Sequence, residues 1–232
     1  MRILGADDAR IFLWKPAGIP VFPPHADPRG DCVLARWCAL DPSRAEAWPE
    51  GYAGGIAHRL DTATSGLLVA ARTLADLATL RRQFEDRALR KHYLFRSAAP
   101  APDLLWPNVV QTELAHHPNR RDRMVWRRGP RTAHRGKWYP AWSAFAPAVR
   151  GVPGAPPDLW RCEIRTGVMH QVRVHAASLG LPLTGDPLYG GAPGRYMLHA
   201  WRIEGPGWRS PEAPLPDAPE DPSHGLVRPS PR

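Results

Sequence analysis

The stretch His58-Arg59-Leu60-Asp61 sets one carboxylate beside a basic pair, ahead of the polar, Gly-terminated turn Thr62-Ala63-Thr64-Ser65-Gly66. That turn opens directly into the apolar run Leu67-Leu68-Val69, so the acid is held at the rim of a sheet. An ionised carboxylate there can act as a nucleophile or as a base. A second block follows in order: Thr166-Gly167-Val168-Met169-His170-Gln171-Val172-Arg173-Val174-His175, then Gly185-Asp186-Pro187-Leu188-Tyr189-Gly190, then Leu198-His199-Ala200. Hydrolysis at a sugar carbon normally needs two carboxylates across the scissile bond. No partner acid is assigned to Asp61 from these blocks. Cys162, His170 and His175 lack the paired spacing of common zinc sites, and no fourth ligand is evident, so no metal is expected.

Taken together, these blocks resemble the signatures of the RluA-type pseudouridine synthases. The resemblance runs from about Ile11 to Ile203 and implies that Asp61 is the catalytic residue. Whether it attacks the sugar, attacks the base or removes a sugar proton stays open. Arg173 matches the basic residue implied to pair with that Asp, and a charge-assisted pair would keep Asp61 ionised in a partly desolvated cleft. Tyr93, in Lys91-His92-Tyr93, matches a Lys-x-Tyr motif whose ring lies against the target uracil. Its ordinary pKa near 10 makes stacking the safer role than proton removal. Arg59 is implied either to fill the space left by a flipped base or to contact phosphate. His58, Lys91 and Leu198 are implied to bind RNA or substrate, Leu198 as a pocket wall or as a plain core leucine. Lys15, in Lys-Pro-x-Gly, either contacts phosphate or caps a turn.

The resemblance further implies an α+β (mixed α/β) fold: a largely antiparallel mixed sheet flanked by helices, with an RNA-binding cleft across it. No metal or small-molecule cofactor is implied, and the activity would be isomerisation of uridine in ribosomal or transfer RNA. An RNA-binding module of the same fold without turnover is the alternative. Val168 and Met169 depart from the family pattern, which has a cation and then Thr there. The small N-terminal RNA-binding domain of many relatives is not expected.

The elements that must position these residues are legible in part. Ile11 to Trp14 reads as a strand stopped by Lys15-Pro16-Ala17-Gly18, and Ile19 to Phe22 as resumed extended chain. Val33, Leu34, Trp37 and Cys38 predict a helix over 31–40, ended by Asp41-Pro42, with 41–55 as loop. Leu67 to Ala71 is a buried strand. Thr73 and Asp76 form a capping box for a helix to about Asp86, with Leu74, Leu77, Leu80 and Phe84 as its buried stripe. Tyr93 to Ser97 alternates as a half-buried strand. Residues 108–140, with basic clusters around Arg120 and Arg128, predict a hairpin with exposed loops. Trp160 to Arg165 alternates as an antiparallel strand with one wet face. Met169, Val172, Ala176 and Leu179 give a helix of about three turns that places His170 and Arg173 one turn apart. Met197 to Ile203 is a last strand.

The chain has 232 residues, 43% of them hydrophobic, and a formal net charge of +9. One core is expected, a catalytic domain over 1–208, with a Pro-rich, mobile tail over 209–232. Only Lys15, Lys91 and Lys137 are lysines, so the positive charge is nearly all arginine. Such charge favours a polyanionic partner, with RNA as the expected one. Three cysteines and no cleavable apolar leader argue against a disulfide framework and for a reducing compartment, here the cytoplasm. No apolar run approaches the roughly 20 residues of a membrane span. A monomer is expected.

Overall fold

The computed structural model describes residues 1–24, 26–100, 103, 105–150 and 158–216. In chain order its main elements are β1 (Arg2–Ala6), β2 (Arg10–Lys15), α1 (Val33–Leu40), β3 (Ser65–Ala71), α2 (Leu74–Glu85), β4 (Arg90–Arg96), β5 (Asn108–His116), β6 (Met124–Trp126), β7 (Arg135–Pro147), β8 (Leu159–Ile164), α3 (Gln171–Ser178), β9 (Leu198–Gly205) and β10 (Trp208–Arg209). The fold class is α+β, with mostly antiparallel strand pairing, as expected. The described residues divide into two compact units: 1–89 with 199–216, and 90–198.

In the first unit β1 pairs with β2 and β2 with β3, both antiparallel, while β3 meets β9 in a short parallel contact, Ser65 opposite His199 and Gly66 opposite Ala200. Every residue of β3 is buried, which an unbroken apolar run requires of a strand covered on both faces. Its core holds Phe12, Leu67, Val69, Leu77, Leu80, Leu89 and Ile203. The capping box of α2 forms: Thr73 Oγ1 accepts from Asp76 N at 3.2 Å, and the Asp76 carboxylate accepts from Thr73 N at 3.1 Å. Leu77 and Leu80 point into the core as predicted, but Leu74 is 56% exposed. Leu74 is the first helical residue, and the buried stripe begins one turn later.

The second unit is an antiparallel sheet in the order β4-β8-β7-β5-β6. Tyr93 sits opposite Cys162, and Leu114 lies between Trp126 and Tyr139. Phe95, Phe145, Trp160, Cys162, Val172 and Leu198 share one core cluster. A smaller cluster of Leu114, Met124, Ala141 and Val174 seats α3 on the sheet, and Val168 and Met169 pack against it.

Several expectations change. Strand β1 carries no alternation that would announce it and is held by pairing with β2 across a bulge. Ile19 to Phe22 forms no strand: prolines at 20, 23 and 24 remove donors, and the Pro20 and Val21 carbonyls instead accept from Val33 and Leu34 in the first turn of α1. That helix is capped by Cys32, whose Sγ accepts from Ala35 N at 3.3 Å. A 3-10 turn over Pro42–Ala45, capped by Asp41, interrupts the expected loop. The 108–140 region builds three strands rather than one hairpin. Helix α3 is shorter than expected because His170, with φ of 55°, is its left-handed N-cap, so Met169 lies outside it. Lastly, the chain stays packed beyond 208. Ala213 is buried and its N–H bonds the Trp201 carbonyl at 2.7 Å, while Trp14 Nε1 donates to the Pro214 carbonyl at 3.1 Å. Proline does not prevent this, since the strap uses the few donors and acceptors it retains. The remainder of the expected tail, 217–232, lies outside the described residues.

Candidate active site

Asp61 is half-buried on a turn closed by Thr64 N donating to the Asp61 carbonyl at 3.0 Å. The next carbonyl, that of Thr62, accepts twice: from Gly18 N at 2.8 Å and from Lys15 Nζ at 3.0 Å. Lys15 also donates to the Pro16 carbonyl at 2.9 Å and is fully buried. Burial pushes its pKa down to about 8, with the Asp61 charge acting the other way. Lys15 therefore ties the Lys-Pro-x-Gly turn to the Asp61 turn. Its buried ammonium is spent on these two carbonyls, the arrangement of a turn cap.

His58 is fixed from the other side. Its Nε2 accepts from Val69 N at 3.1 Å, and its ring packs at a tilt against Phe84 with centroids 5.3 Å apart. The first contact holds the segment to β3 and the second to α2. Arg59, by contrast, is exposed. Gly66 explains the end of the polar turn: at φ of 112°, an added Cβ would meet the Ala200 carbonyl oxygen at 2.1 Å. Beside it, Ser65 Oγ donates to His199 Nδ1 at 2.9 Å, and His199 Nε2 donates to the Ala213 carbonyl at 3.0 Å. The second Leu-His-Ala residue thus pins β9, β3 and the strap together. Burial holds His199 neutral, with its pKa down to about 4.

In the second unit each polar residue of the His-Gln-x-Arg-x-His block has its own partner. His170 Nδ1 meets the Tyr189 hydroxyl at 2.9 Å. Gln171 accepts from Thr166 Oγ1 at 2.8 Å and donates to the Trp142 carbonyl at 2.8 Å and to Ser143 Oγ at 3.0 Å. His175 Nδ1 reaches the same Ser143 hydroxyl at 2.8 Å. This buried network docks α3 on β7. Arg173 is gripped by both oxygens of Asp186, at 2.7 and 2.8 Å, through Nε and one terminal nitrogen. Burial opposes the Arg173 charge, but the Asp186 bonds outweigh it and raise its pKa above the usual value. The Tyr189 and Tyr196 rings lie 5.0 and 5.6 Å from the guanidinium carbon, close enough for cation–π attraction.

Asp186 and Tyr189 are the residues to which sequence reasoning gave no role, although their block was visible. Asp186 has no exposed surface, and glycines pack closely around its backbone. Gly185 N donates to the Ala192 carbonyl at 2.7 Å, Gly191 N donates to the Asp186 carbonyl at 2.9 Å, and an added Cβ at Gly191 would meet the Leu183 oxygen at 1.8 Å. A fully buried acid so engaged cannot serve as the second carboxylate of a glycosidase. Tyr93 is half-buried on β4, and Leu198 lies in the core cluster around Phe95. Lys91 is buried, its pKa lowered to about 8 by burial, with Nζ against Gly167. The first unit thus assembles Lys15, His58, Arg59 and Asp61, and the second Lys91, Tyr93, Arg173 and Leu198. No group of three or more His, Cys, Asp or Glu among the described residues could hold a metal ion.

Residues 10–178 match the family described as RNA pseudouridylate synthase, and the chain belongs to that family. It is 33% identical over 216 residues to ribosomal large subunit pseudouridine synthase D of Nitrosomonas europaea, a match covering 88% of this chain and 57% of that protein. Against the protein of the same name from Xanthomonas campestris pv. campestris the identity is 34%, covering 83% of this chain and 52% of the relative. The chain thus spans about half the length of these curated relatives. Among solved structures, human RNA pseudouridylate synthase domain containing 1 superposes with a TM-score of 0.66 at 20% identity, over 98% of this chain and 90% of that one. At that identity the likeness speaks to the fold.

Proposed function

We propose that the protein is an RNA pseudouridine synthase that isomerises uridine in ribosomal or transfer RNA. The bond between ribose C1′ and uracil N1 breaks, the base turns, C1′ joins C5, the C5 proton leaves and N1 gains one. Nothing is oxidised and no group is lost, so the chain works without a metal or small-molecule cofactor. Asp61 is the catalytic carboxylate. Arg173 pairs with it, Tyr93 lies against the uracil, and Arg59 enters the space the flipped base leaves or contacts phosphate.

The observation that supports this reading most is the double anchoring of the Asp61 turn by Lys15 and Gly18 on the Thr62 carbonyl, which fixes a half-exposed acid beside an exposed Arg59. Such rigidity is what a catalytic group needs and an ordinary surface acid does not. The buried Asp186 grip on Arg173 fits the same role, since it presets the guanidinium in one orientation. The protein acts as a monomer in the cytoplasm, and no helix among the described residues is long and apolar enough to cross a membrane.

RNA carrying tritium at uracil C5 tests the reaction, because isomerisation releases that hydrogen to water. Release by the wild type and none by Asp61→Asn, with RNA binding kept, is the expected result. Binding without release by the wild type would leave the binding-module alternative, and release of free uracil would instead revive hydrolysis.

A further inference from the structure

Within the second unit, β6 with its flanking loops and α3 form a half-open cavity of about 870 Å³. Arg123, Arg128 and Arg131 line it together with Trp126, Tyr189 and Ser178, and none of the lining side chains is acidic. The neighbouring arginines are already neutralised: Arg120 pairs with Asp122 at 2.9 Å, and Arg127 pairs with Glu113. Among the described residues the three cavity arginines form no such ion pair. Two lie instead against aromatic rings, Arg128 at 5.3 Å from the Trp126 ring centre and Arg123 at 5.5 Å from that of Tyr189.

The wall is set in advance. Thr132 Oγ1 accepts from Arg128 N at 3.0 Å and Gly129 N at 3.1 Å and donates to the Gly129 carbonyl at 2.9 Å, so the turn carrying Arg131 is closed upon itself. Tyr189 takes a hydrogen bond from Met124 N at 2.8 Å and faces Arg173 on its other flank. Spare guanidinium charge beside aromatic and guanidinium planes is the chemistry that holds an unpaired nucleotide, phosphate by charge and base by stacking. A volume of this order admits one nucleotide with its flanking phosphates.

We propose that this cavity is a second nucleotide subsite, which takes an unpaired nucleotide of the RNA other than the target uridine. The base lies against Trp126, and the phosphates meet Arg128 and Arg131. The inference rests on the RNA-modifying reading above and adds a site of recognition to it.

The test uses the full chain with a labelled RNA hairpin carrying 5-iodouridine at each unpaired loop position in turn, and a fully paired duplex of equal length. Irradiation should give an adduct on Trp126 from a loop nucleotide and none from the duplex. Arg128→Ala and Arg131→Ala change exposed positions and so should fold. Each should weaken binding of the looped RNA about tenfold and lower its salt slope by about 1, with less than about twofold effect on the duplex. Absence of the Trp126 adduct, or equal losses for looped and paired RNA, overturns the subsite. Pseudouridine is measured in the same samples. Product without the adduct removes the subsite and keeps the enzyme, whereas an adduct without product supports the subsite and counts against the enzymatic reading.

Discussion

At the scale of single residues, the division of labour is between groups that meet solvent and groups that aim them. Asp61 and Arg59 reach the surface, while Lys15, His58 and Asp186 spend their polar atoms on backbone or on a buried partner. Removing an aiming group should therefore cost stability as well as turnover. Asp186→Asn leaves the Arg173 charge buried without its counter-ion and should destabilise the fold by about 3–5 kcal/mol, read from urea unfolding. A loss under about 1 kcal/mol would mean that the grip adds little. Lys15→Met should likewise lower stability, by about 1–3 kcal/mol, because two carbonyls lose their shared donor. Its activity should fall further than the unfolded fraction accounts for, since the Asp61 turn is released.

At the scale of elements, two substitutions separate local from tertiary design. Thr73→Ala removes the cap of α2 and should cost about 1 kcal/mol in thermal or urea unfolding. Gly66→Ala should cost clearly more, because its Cβ would strike the Ala200 backbone where β3 meets β9. A Gly66→Ala chain as stable as Thr73→Ala would contradict the close approach. The same contrast explains what the sequence revealed. The periodic elements, β3, α2 and β8, and the capping box were readable because their signals are local. Asp61, Arg173 and Tyr93 stood out as candidates because each lies in a contiguous motif. What stayed hidden depends on side-chain and backbone pairings that no local pattern announces: Arg173 with Asp186, Ser65 with His199, and the Ala213 strap across Trp201. The burial of Lys15 and Lys91 was not legible, because sequence gives charge but not exposure.

For the whole molecule, burial of two neutral imidazoles predicts sensitivity to acid. His175 and His199 are both pushed down to about 4 from the usual 6.5 by burial. The unfolded chain then binds protons first, so stability is fully present above pH 6.5 and is lost as pH falls from about 6.5 towards about 4. The expected loss is about 2–3 kcal/mol for each histidine, ahead of most carboxylate titration. Unfolding midpoints that stay flat between pH 6.5 and 4.5 would contradict neutral burial of this pair. The positive field that remains at neutral pH suits a polyanionic substrate. If Asp61 carries the proposed isomerisation of uridine, carbodiimide-dependent reverse-transcription mapping of RNA from cells lacking the gene, after incubation with wild type or Asp61→Ala, tests it most directly. New stops that appear with the wild type and vanish with the variant are the predicted result. No new stop with either protein, while both bind the RNA equally, would contradict it.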